Sequence, residues 1–347
     1  MLLVIQRAVR GLYPAMKVGF NVNMVRRRAA KEWNFIFRCV CSGFLIALCA
    51  RLSRSAVPLH VFHSFDSHTK TTGVVTFPLI GKHGRTGNQL FQIAATVGVA
   101  ERNGLAWDFP AEIENCNAGK LFNLKPQGSL PTVGVITHAE RSQLYYDVVL
   151  EANHTHHCFL ISGYFQSLRY FEQSLDSLKS VFRISENLLR RVKSAMKHID
   201  LDNSIGVHVR RGDYIRLNKL YRVLDDDYYL SAISVAKNRT RHNGKIIIVS
   251  DDVQWCKDHL VPKLYLHQEV VFSPFSNDEL LDFVLLYLTR HNVIANSSFS
   301  WWAAFLKRLH VPSSTRVVVA PRIRYNSTGK LAYLDTNDIY PNGWILL

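Results

Sequence analysis

Charged and hydroxyl side chains follow three separate apolar runs in the second half of this 347-residue sequence. The runs 205–209, 245–249 and 292–295 are followed by Arg210-Arg211-Gly212-Asp213, Ser250-Asp251-Asp252 and Asn296-Ser297-Ser298. Arginine binds phosphate oxygens through two parallel N–H bonds, and the N–H groups and hydroxyls that open a helix also bind anions. A carboxylate can accept hydrogen bonds from a guanine edge. Together the three sets predict a site for a nucleoside diphosphate.

The same residues also have purely structural interpretations. Arg210 and Asp213 are spaced to form a surface ion pair, and Asn296 or Ser297 is placed to be an ordinary helix cap. Asp251 and Asp252 can complement a helix dipole. The functional interpretation is favoured because all three sets occupy equivalent strand ends.

The elements that position these residues alternate regularly from residue 204 onward. Apolar strands are predicted at 205–209, 245–249, 269–272, 292–295 and 316–320, with helices near 226–240, 252–260, 278–291 and 299–309. This alternation is typical of a parallel, doubly wound α/β sheet, which binds its ligands at the carboxyl ends of the strands. Trp301 and Trp302, near the start of the last helix, are predicted to pack in the core and at its rim and not to serve as stacking platforms for a ligand.

The first half of the sequence has a similar but less regular pattern. Strands are predicted at 73–80 and 157–161, and helices at 89–101, 168–182 and 185–199. The first strand leads into a glycine-rich turn, Gly81-Lys82-His83-Gly84-Arg85-Thr86-Gly87-Asn88. This turn is not a Walker A loop, because no Gly-Lys-Ser or Gly-Lys-Thr closes it. Its glycines indicate a tight strand-to-helix connection.

Metal and disulfide patterns in the sequence are weak. Asp200-Leu201-Asp202 and Asp225-Asp226-Asp227 match a loose Asp-x-Asp pattern, but they are predicted to end a loop and to start a helix. His154, His156 and His157 lack partners at metal-ligand spacing. Outside the N-terminal apolar segment the cysteines are Cys116, Cys158 and Cys256, an odd number that allows at most one bridge. We therefore predict no metal site.

The basic charge is concentrated at the N-terminus. The net charge of the whole chain is +15, which by itself would favour a nucleic-acid partner. Residues 1–54 account for +9, with ten basic side chains and one acid, and the other 293 residues account for only +6. The basic run 26–31 precedes an apolar stretch at 33–52, and a membrane span needs about 17–25 residues. The positive-inside rule then places the N-terminus in the cytosol, so we predict a signal-anchor and no nucleic-acid partner.

Two alternatives for this apolar stretch are a cleaved signal peptide and a buried core helix. A signal peptide normally starts nearer residue 1, and no clean small-x-small cleavage site follows, while the charged flanks fit a signal-anchor best. Residues 53–72 are predicted to form a stem. Sequons at Asn153, Asn238, Asn296 and Asn326 agree with a lumenal body, and we predict N-glycosylation at Asn153, Asn238 and Asn326.

Several motifs resemble those of the galactoside alpha-1,2-fucosyltransferases, and they occur in the same order from about residue 73 to the end. They are Gly84-Arg85-Thr86-Gly87-Asn88-Gln89-Leu90-Phe91-Gln92, Gly163-Tyr164-Phe165-Gln166, His208-Val209-Arg210-Arg211-Gly212-Asp213-Tyr214, Ser250-Asp251-Asp252, Asn296-Ser297-Ser298-Phe299-Ser300-Trp301-Trp302 and Tyr340-Pro341-x-x-Trp344. The His-x-Arg-Arg-Gly-Asp stretch is shared with alpha-1,6- and protein O-fucosyltransferases. Its combination with Ser-Phe-Ser-Trp-Trp is typical of the alpha-1,2 group.

The resemblance implies a GT-B-like α/β fold with two Rossmann-like domains, which follow the predicted N-terminal membrane anchor helix. The expected organisation is a cytosolic tail at 1–32, a signal-anchor at 33–52, a stem at 53–72, an acceptor-side domain at 73–203 and a GDP-fucose-binding domain at 204–347. The implied reaction moves L-fucose from GDP-beta-L-fucose to a galactose-containing glycan, with inversion and without a metal or other cofactor. The implied location is the Golgi membrane, as a single-pass type II protein with a lumenal catalytic domain.

The resemblance also implies roles for individual residues. Arg210 would bind the beta-phosphate, and Ser297 and Ser298 would bond to phosphate. His208, with Asp251 or Asp252, would contact guanosine. The further donor contacts are Arg211, Asn296, Gly87 and Gln89. The predicted catalytic residues are Arg210, Asp213 and Asn88, and the general base stays open between Asp213, His83 and Asn88.

Two alternative functions are consistent with these motifs. One is a protein O- or core fucosyltransferase, which would share the donor but not the acceptor. The other is a lectin-like homologue that binds a glycan and transfers no sugar. The presence of Arg210, His208 and Asn88 favours an enzyme over the second alternative.

Overall fold

A computed structural model of the protein describes residues 73–128, 130, 134–140, 145–150, 157–241, 243–264, 270–275, 278–312, 315–332 and 338–347. These residues belong to one compact unit. The predicted tail, anchor and stem, at 1–72, lie outside the described residues. Among the helices that are described, none is both long enough and apolar enough to cross a membrane.

Within the described residues the first sheet contains four parallel strands: β1 (Val74–Thr76), β2 (Ala106–Trp107), β3 (Val135–Ala139) and β4 (Cys158–Ser162). They lie in the order β2-β1-β4-β3. Helix α1 (Thr86–Arg102) follows β1, and a 3₁₀ turn (Ala111–Asn115) and α2 (Asn117–Phe122) follow β2. The strand predicted at 73–80 is shorter because residues 78–82 form turns, in which Gly81 has φ 79°.

The segment that joins the two sheets is helical only in parts. Two 3₁₀ turns (Leu168–Tyr170 and Glu172–Ser174) precede α3 (Leu175–Val181), and α4 (Glu186–Ala195) follows. The predicted continuous helix over 168–182 is therefore wrong at its start, where Tyr170 and Phe171 are buried between elements. Helix α4 ends at Ala195, four residues before the predicted end.

The second sheet, as far as the described part of the chain shows it, contains six parallel strands: β5 (Ser204–Val209), β6 (Lys245–Ser250), β7 (Val270–Phe272), β8 (His291–Val293), β9 (Val318–Ala320) and β10 (Ile345–Leu346). They lie in the order β10-β9-β8-β5-β6-β7. The helices of this half are α5 (Gly212–Arg216), α6 (Asp226–Thr240), α7 (Val253–Trp255), α8 (Glu279–Leu288) and α9 (Ser298–His310). A single π-helical turn (Cys256–Leu260) continues α7. The predicted parallel α/β architecture is confirmed.

Each sheet has a point at which the strand order reverses. In the second sheet the chain runs from β5 through β6 to β7 on one side and from β8 to β10 on the other, so the reversal lies between β5 and β8. The corresponding neighbours in the first sheet are β1 and β4. Open α/β sheets bind ligands at this switch point, beyond the carboxyl ends of the strands. The topology alone therefore places a site beyond β5 and β8.

An aromatic cluster packs α1 against α9. The Phe91 ring lies 4.8 Å from the Trp301 ring and 5.1 Å from the Trp302 ring, and Trp302 stacks on Phe171 at 5.5 Å. Trp301 donates its indole N–H to the Ile339 carbonyl at 2.8 Å. Both tryptophans are almost fully buried, which confirms their prediction as core residues. Such aromatic contacts hold the start of α9 beside the start of α1.

Candidate functional site

A cleft of about 230 Å³ lies at the carboxyl ends of β5 and β6. Its walls also include the start of α1 and parts of α8 and α9. The lining residues are Arg85, Thr86, Gly87, His208, Arg210, Val249, Ser250, Asp251, Glu279, Asp282 and Phe299. Connections from both sheets therefore contribute to one cleft at the ends of β5 and β6, beside the switch point between β5 and β8.

The Arg210 guanidinium is held by two carboxylates. Its Nη2 lies 2.6 Å from Asp213 Oδ1, and its Nη1 lies 2.8 Å from Asp251 Oδ2. Asp251 Oδ1 in turn accepts hydrogen bonds from the backbone N–H groups of Arg211 and Gly212, at 2.8 and 3.2 Å. Only 14% of the Arg210 side chain is exposed. The guanidinium is thus oriented in advance at the end of β5, in a geometry suited to bind phosphate oxygens.

Arg211 and Asp252 do not line the cleft, although each is adjacent in sequence to a residue that does. Arg211 Nε lies 3.3 Å from Asp252 Oδ2, and the guanidinium lies 4.0 Å from the centre of the Trp255 ring. Asp252 Oδ1 accepts a hydrogen bond from Trp255 N at 3.1 Å and so caps α7. These two predicted donor-binding residues join the ends of β5 and β6 behind Arg210.

His208 lies near the end of β5 and is buried. Its Nδ1 lies 2.8 Å from Ser300 Oγ, and its ring lies 5.3 Å from the Phe299 ring. Burial, together with the charge of Arg210, lowers the pKa of His208 to about 3. The ring is therefore neutral at pH 7 and can bond in the cleft without adding charge. The sequence does not distinguish Ser300 from any other serine in the first turn of a helix.

The start of α9 contacts the start of α1. Ser297 accepts a hydrogen bond from Phe299 N at 3.4 Å and caps α9, as predicted from its position. Ser298 Oγ donates to Asn88 Oδ1 at 3.0 Å. Gly87 is required at this contact, because a Cβ on it would lie 2.4 Å from Phe299 N. The N–H group of Phe299 bonds to the Ser297 cap, whereas the other N–H groups of the first turn of α9 have no partners within the helix. Phe299 lines the cleft, so the start of α9 lies at a cleft wall, where such N–H groups can bind an anion.

Two further predicted donor-binding residues lie behind the cleft wall. Gln89 is buried, and its side chain bonds to the Gly84 carbonyl at 3.4 Å and to the backbone of α2 at 3.1 Å. Asn296 is also buried, and its Nδ2 donates to the carbonyls of Arg222 and Arg324 at 2.8 and 2.7 Å. Both amides position loops, and neither lines the cleft.

Two carboxylates on α8 line the cleft and are not identified by the sequence pattern. Glu279 pairs with Arg85 at 3.2 Å and accepts hydrogen bonds from Thr86 Oγ1 and from Asn117 Nδ2, the latter at 2.7 Å. Asp282 is buried, and this burial raises its pKa to about 6. In the sequence both residues look like the acidic first turn of an ordinary helix.

The three residues considered as general base have different surroundings, and none of them is among the lining residues. Asp213 is paired with Arg210. The Asn88 amide oxygen accepts from two donors, Ser298 Oγ and Gln166 Nε2. His83 is partly buried with its ring 4.6 Å from that of Tyr164, and this burial lowers its pKa.

The predicted metal and cysteine features can be checked only within the described residues. There, no cluster of three or more His, Cys, Asp or Glu side chains is arranged to hold a metal ion. Asp225 caps α6 by accepting from Tyr228 N at 3.0 Å, which confirms that this acidic run starts a helix. The thiols of Cys116, Cys158 and Cys256 are buried and unbridged.

The sequons lie in different environments. Asn238 is exposed on α6, whereas Asn296 is buried, as described above. Asn326 Nδ2 donates to the Asn218 carbonyl at 2.7 Å, and its Oδ1 accepts from Thr328. Asn153 lies outside the described residues.

The sequence matches the model of glycosyl transferase family 11 over residues 143–347. The chain therefore belongs to this family, which agrees with the resemblance seen in its motifs. An alpha-1,2-colitosyltransferase of Escherichia coli is 34% identical over 149 residues, or 42% of this chain and 50% of that protein. The chain thus spans half the length of that relative.

Two further comparisons cover more of the chain. The galactoside 2-alpha-L-fucosyltransferase SEC1 of Bos taurus is 27% identical over 256 residues, or 70% of this chain and 67% of that protein. Among solved structures, the fucosyltransferase NodZ from Bradyrhizobium is similar with a TM-score of 0.42 and 14% identity, over 69% of this chain and 94% of that one.

Proposed function

We propose that the protein transfers L-fucose from GDP-beta-L-fucose to a hydroxyl of a galactose-containing glycan. The observation that supports this most directly is the Arg210 guanidinium, held by two carboxylates at the switch point and beside the start of α9. Membership of family 11 supports sugar transfer. The names of the mammalian relatives support fucose as the sugar and a galactoside as the acceptor.

In this proposal the diphosphate binds between Arg210 and the first N–H groups of α9. The guanosine lies along the remaining cleft wall, where Asp282 can accept a hydrogen bond from an N–H group. Both oxygens of Asp251 are already bonded, one to Arg210 and the other to the backbone N–H groups of Arg211 and Gly212. His208 adds a neutral hydrogen-bonding group at the same wall, since its low pKa keeps it uncharged. Asp213 and Asp251 orient Arg210 before the donor binds.

The proposed chemistry is an inverting displacement. The acceptor oxygen forms a bond to the fucosyl carbon from the face opposite GDP while the bond between that carbon and the diphosphate oxygen breaks, and negative charge grows on the leaving diphosphate. The hydroxyl proton passes to a base or to water. Arg210 and the α9 N–H groups stabilise that charge, and such a contact is commonly worth about 2.7–4 kcal/mol in the transition state. Because these groups come from the protein, the proposed reaction needs no metal ion.

We propose that the remaining organisation follows the charge pattern of the sequence. A tail at 1–32, a signal-anchor at 33–52 and a stem at 53–72 would hold a GT-B-like body on the lumenal side of the Golgi membrane. The net charge of +9 within residues 1–54 supports this orientation. The exposed position of Asn238 is compatible with N-glycosylation there.

The experiment that tests the proposed function uses the full-length protein in detergent with GDP-fucose. N-acetyllactosamine, an acceptor peptide and an N-glycan core serve as alternative acceptors, and GDP release and product linkage are measured. We expect GDP release with the galactoside and a product fucosylated at the galactose 2-OH. Transfer to the peptide or the core glycan would show that this molecule, and not a galactoside, is the acceptor. Absence of GDP release with every acceptor would reject the enzyme.

A further inference from the structure

A second pocket, of about 390 Å³, lies between the connection that follows β5 and the connection that follows β9. Because both strands are parallel members of one sheet, this rim pocket is at the same carboxyl edge as the cleft. Its lining includes Asn218, Tyr221 and Arg222 from the first connection and Ile323 and Asn326 from the second. None of these residues is used by the chemistry proposed above. The sequon residue Asn326, whose Nδ2 donates to the Asn218 carbonyl, must carry no glycan if the pocket is to stay open, so a ligand in this pocket replaces the predicted glycosylation of Asn326.

The walls of the rim pocket are tied together by backbone and amide hydrogen bonds. Arg222 N donates to the Arg324 carbonyl at 3.3 Å, and Asn326 N donates to the Leu220 carbonyl at 3.0 Å. The buried Asn296 amide bonds to both connections from below, at the Arg222 and Arg324 carbonyls. The pocket is therefore formed before any ligand binds, which reduces the ordering cost of binding.

The lining of the rim pocket has the composition expected for a sugar site. It combines an aromatic ring, Tyr221, with an apolar side chain, Ile323, that is 43% exposed. The guanidinium of Arg222 and the side-chain amide of Asn218 form no hydrogen bond or ion pair with other described residues. Such a surface offers an apolar face to sugar C–H groups and free donors to sugar hydroxyls.

The rim pocket and the cleft share a wall. The Tyr221 ring stacks on the Tyr214 ring, with centroids 4.5 Å apart and planes 12° apart. Tyr214 also contacts a residue of the cleft, because the centre of its ring lies 5.5 Å from the Arg210 guanidinium carbon. The Tyr214 hydroxyl donates to the Asn296 carbonyl at 3.2 Å. One aromatic ring thus separates the rim pocket from the group that would bind the diphosphate.

We propose that the rim pocket binds the acceptor sugar next to the one that receives fucose. This would place part of the acceptor on the predicted GDP-fucose-binding domain, 204–347, in addition to the predicted acceptor-side domain, 73–203. This inference rests on the proposed function, which places the reacting carbon beside Arg210. The reacting hydroxyl must reach that carbon, so its own sugar occupies the cleft mouth, and the neighbouring sugar lies beyond the Tyr214 ring. Tyr221 is packed between the Tyr214 and Tyr325 rings, at 4.5 and 5.9 Å, and would contact the neighbouring sugar with the part of its ring that lines the pocket. Arg222 and Asn218 would donate to the hydroxyls of that sugar.

The test compares two acceptors on the full-length protein, methyl β-D-galactoside and N-acetyllactosamine. The double variant Asn218→Ala with Arg222→Ala should raise the KM for N-acetyllactosamine about tenfold, the worth of one or two hydrogen bonds. The KM for methyl β-D-galactoside should change less than about twofold, because this acceptor has no second sugar. Arg216→Ala, an exposed arginine on α5 that does not line the pocket, is the matched control and should leave both KM values unchanged.

Two outcomes would overturn the inference: an equal change in KM for both acceptors, or a double variant that behaves like Arg216→Ala. The single variant Arg222→Gln repeats the measurement should the double variant fold poorly, as judged by circular dichroism. The proposed function is tested by a separate measurement. It predicts that the unaltered protein releases GDP, whether or not the rim pocket binds a sugar. An unaltered protein that uses neither galactoside, yet releases GDP with another acceptor, also overturns the assignment of the rim pocket.

Discussion

Asn88 Oδ1 accepts a hydrogen bond from Ser298 Oγ at 3.0 Å, across the contact between α1 and α9. The same oxygen accepts from Gln166 Nε2 at 2.7 Å. Asn88 follows β1, Gln166 follows β4 and Ser298 opens the helix after β8, so a single amide oxygen joins the switch points of both sheets. The position of α9, and with it the anion site at its N-terminus, depends on this junction.

The first prediction is that Asn88→Ala lowers kcat/KM by more than about tenfold. The variant leaves two donors without their acceptor beside the cleft, and each such loss costs about 1–3 kcal/mol. Asn103→Ala is a matched control on the end of the same helix, where the amide makes three backbone hydrogen bonds away from the cleft. Both variants should lower Tm, but only Asn88→Ala should lower kcat/KM. Equal losses of activity would show that Asn88 is merely structural.

The second prediction is that Gly87→Ala destabilises the protein by about 1–3 kcal/mol, the usual cost of overpacking. A Cβ at this position would lie 2.4 Å from Phe299 N and 2.5 Å from Ser298 Oγ, so α9 must move. Gly128→Ala is the control, since a Cβ there meets only Asp108 Oδ2, at 3.9 Å. Urea unfolding measures the free energy of unfolding of both variants. A Gly87→Ala variant as stable as the control would contradict the close approach of α1 and α9.

The sequence predicts the second sheet better than the first, for a physical reason. Strands such as β5 and β6 are buried on both faces and read as continuous apolar runs, and α6 begins and ends where its pattern predicts. In contrast β2 has two residues, and β3 exposes most of its side chains, so neither has an apolar pattern to detect. Local pattern identifies only those elements that bury a regular face.

The site was predictable to the extent that it lies at strand ends. His208, Arg210 and Asp251 are brought together because parallel strands end at one edge. The sequence cannot tell which of two adjacent residues faces the cleft, and so it does not separate Arg210 from Arg211. Glu279 could not be assigned either, since its partner Thr86 lies 193 residues away and only the fold makes them neighbours.

The third prediction separates those adjacent arginines. Arg210→Ala should lower kcat/KM by about 10²–10³ because it removes a charge aimed at the leaving diphosphate. Arg211→Ala should lower it by less than about tenfold, since its guanidinium lies on Trp255 and pairs with Asp252. Steady-state kinetics with GDP-fucose and thermal unfolding of both variants test this contrast. A larger loss of kcat/KM in Arg211→Ala than in Arg210→Ala would show that Arg211, and not Arg210, binds the diphosphate.

The fourth prediction concerns pH. Burial raises the pKa of Asp282 from 3.8 to about 6, so the folded state holds this proton more tightly than the unfolded chain does. The contribution of Asp282 to stability is thus complete below pH 3.8 and is lost as pH rises through 6. Asp282→Asn stays neutral, so its Tm advantage over the unaltered protein should be larger at pH 7.5 than at pH 4.5. Glu114→Gln, at an exposed position, should differ from the unaltered protein in Tm by the same amount at pH 7.5 and at pH 4.5. A Tm difference for Asp282→Asn that grows at low pH would contradict the raised pKa.

The loop after β4 depends on one partly buried carboxylate. Glu140 accepts hydrogen bonds from the backbone N–H groups of Tyr164 and Phe165, at 2.6 and 3.1 Å. Phe165 has a left-handed φ of 50°, which is uncommon for a bulky residue and needs support from its surroundings. The next residue, Gln166, is the one that bonds to Asn88. Glu140 therefore positions Asn88 through the loop and does not line the cleft itself.

The fifth prediction follows from that arrangement. In Glu140→Gln one carboxylate oxygen becomes an NH₂ group, so one of the two backbone N–H groups loses its acceptor, at a cost of about 1–3 kcal/mol. The strained turn at Phe165 should then relax, shift Gln166 away from Asn88, and lower kcat while the Kd for GDP stays within about twofold. Glu172→Gln, an exposed glutamate nearby in sequence, is the control for the loss of charge. A lower Tm with unchanged kcat would mean that Glu140 supports only the fold. A lower kcat accompanied by weaker GDP binding would mean that the loop acts on the donor side of the cleft, through Ser298, and not on the geometry of transfer.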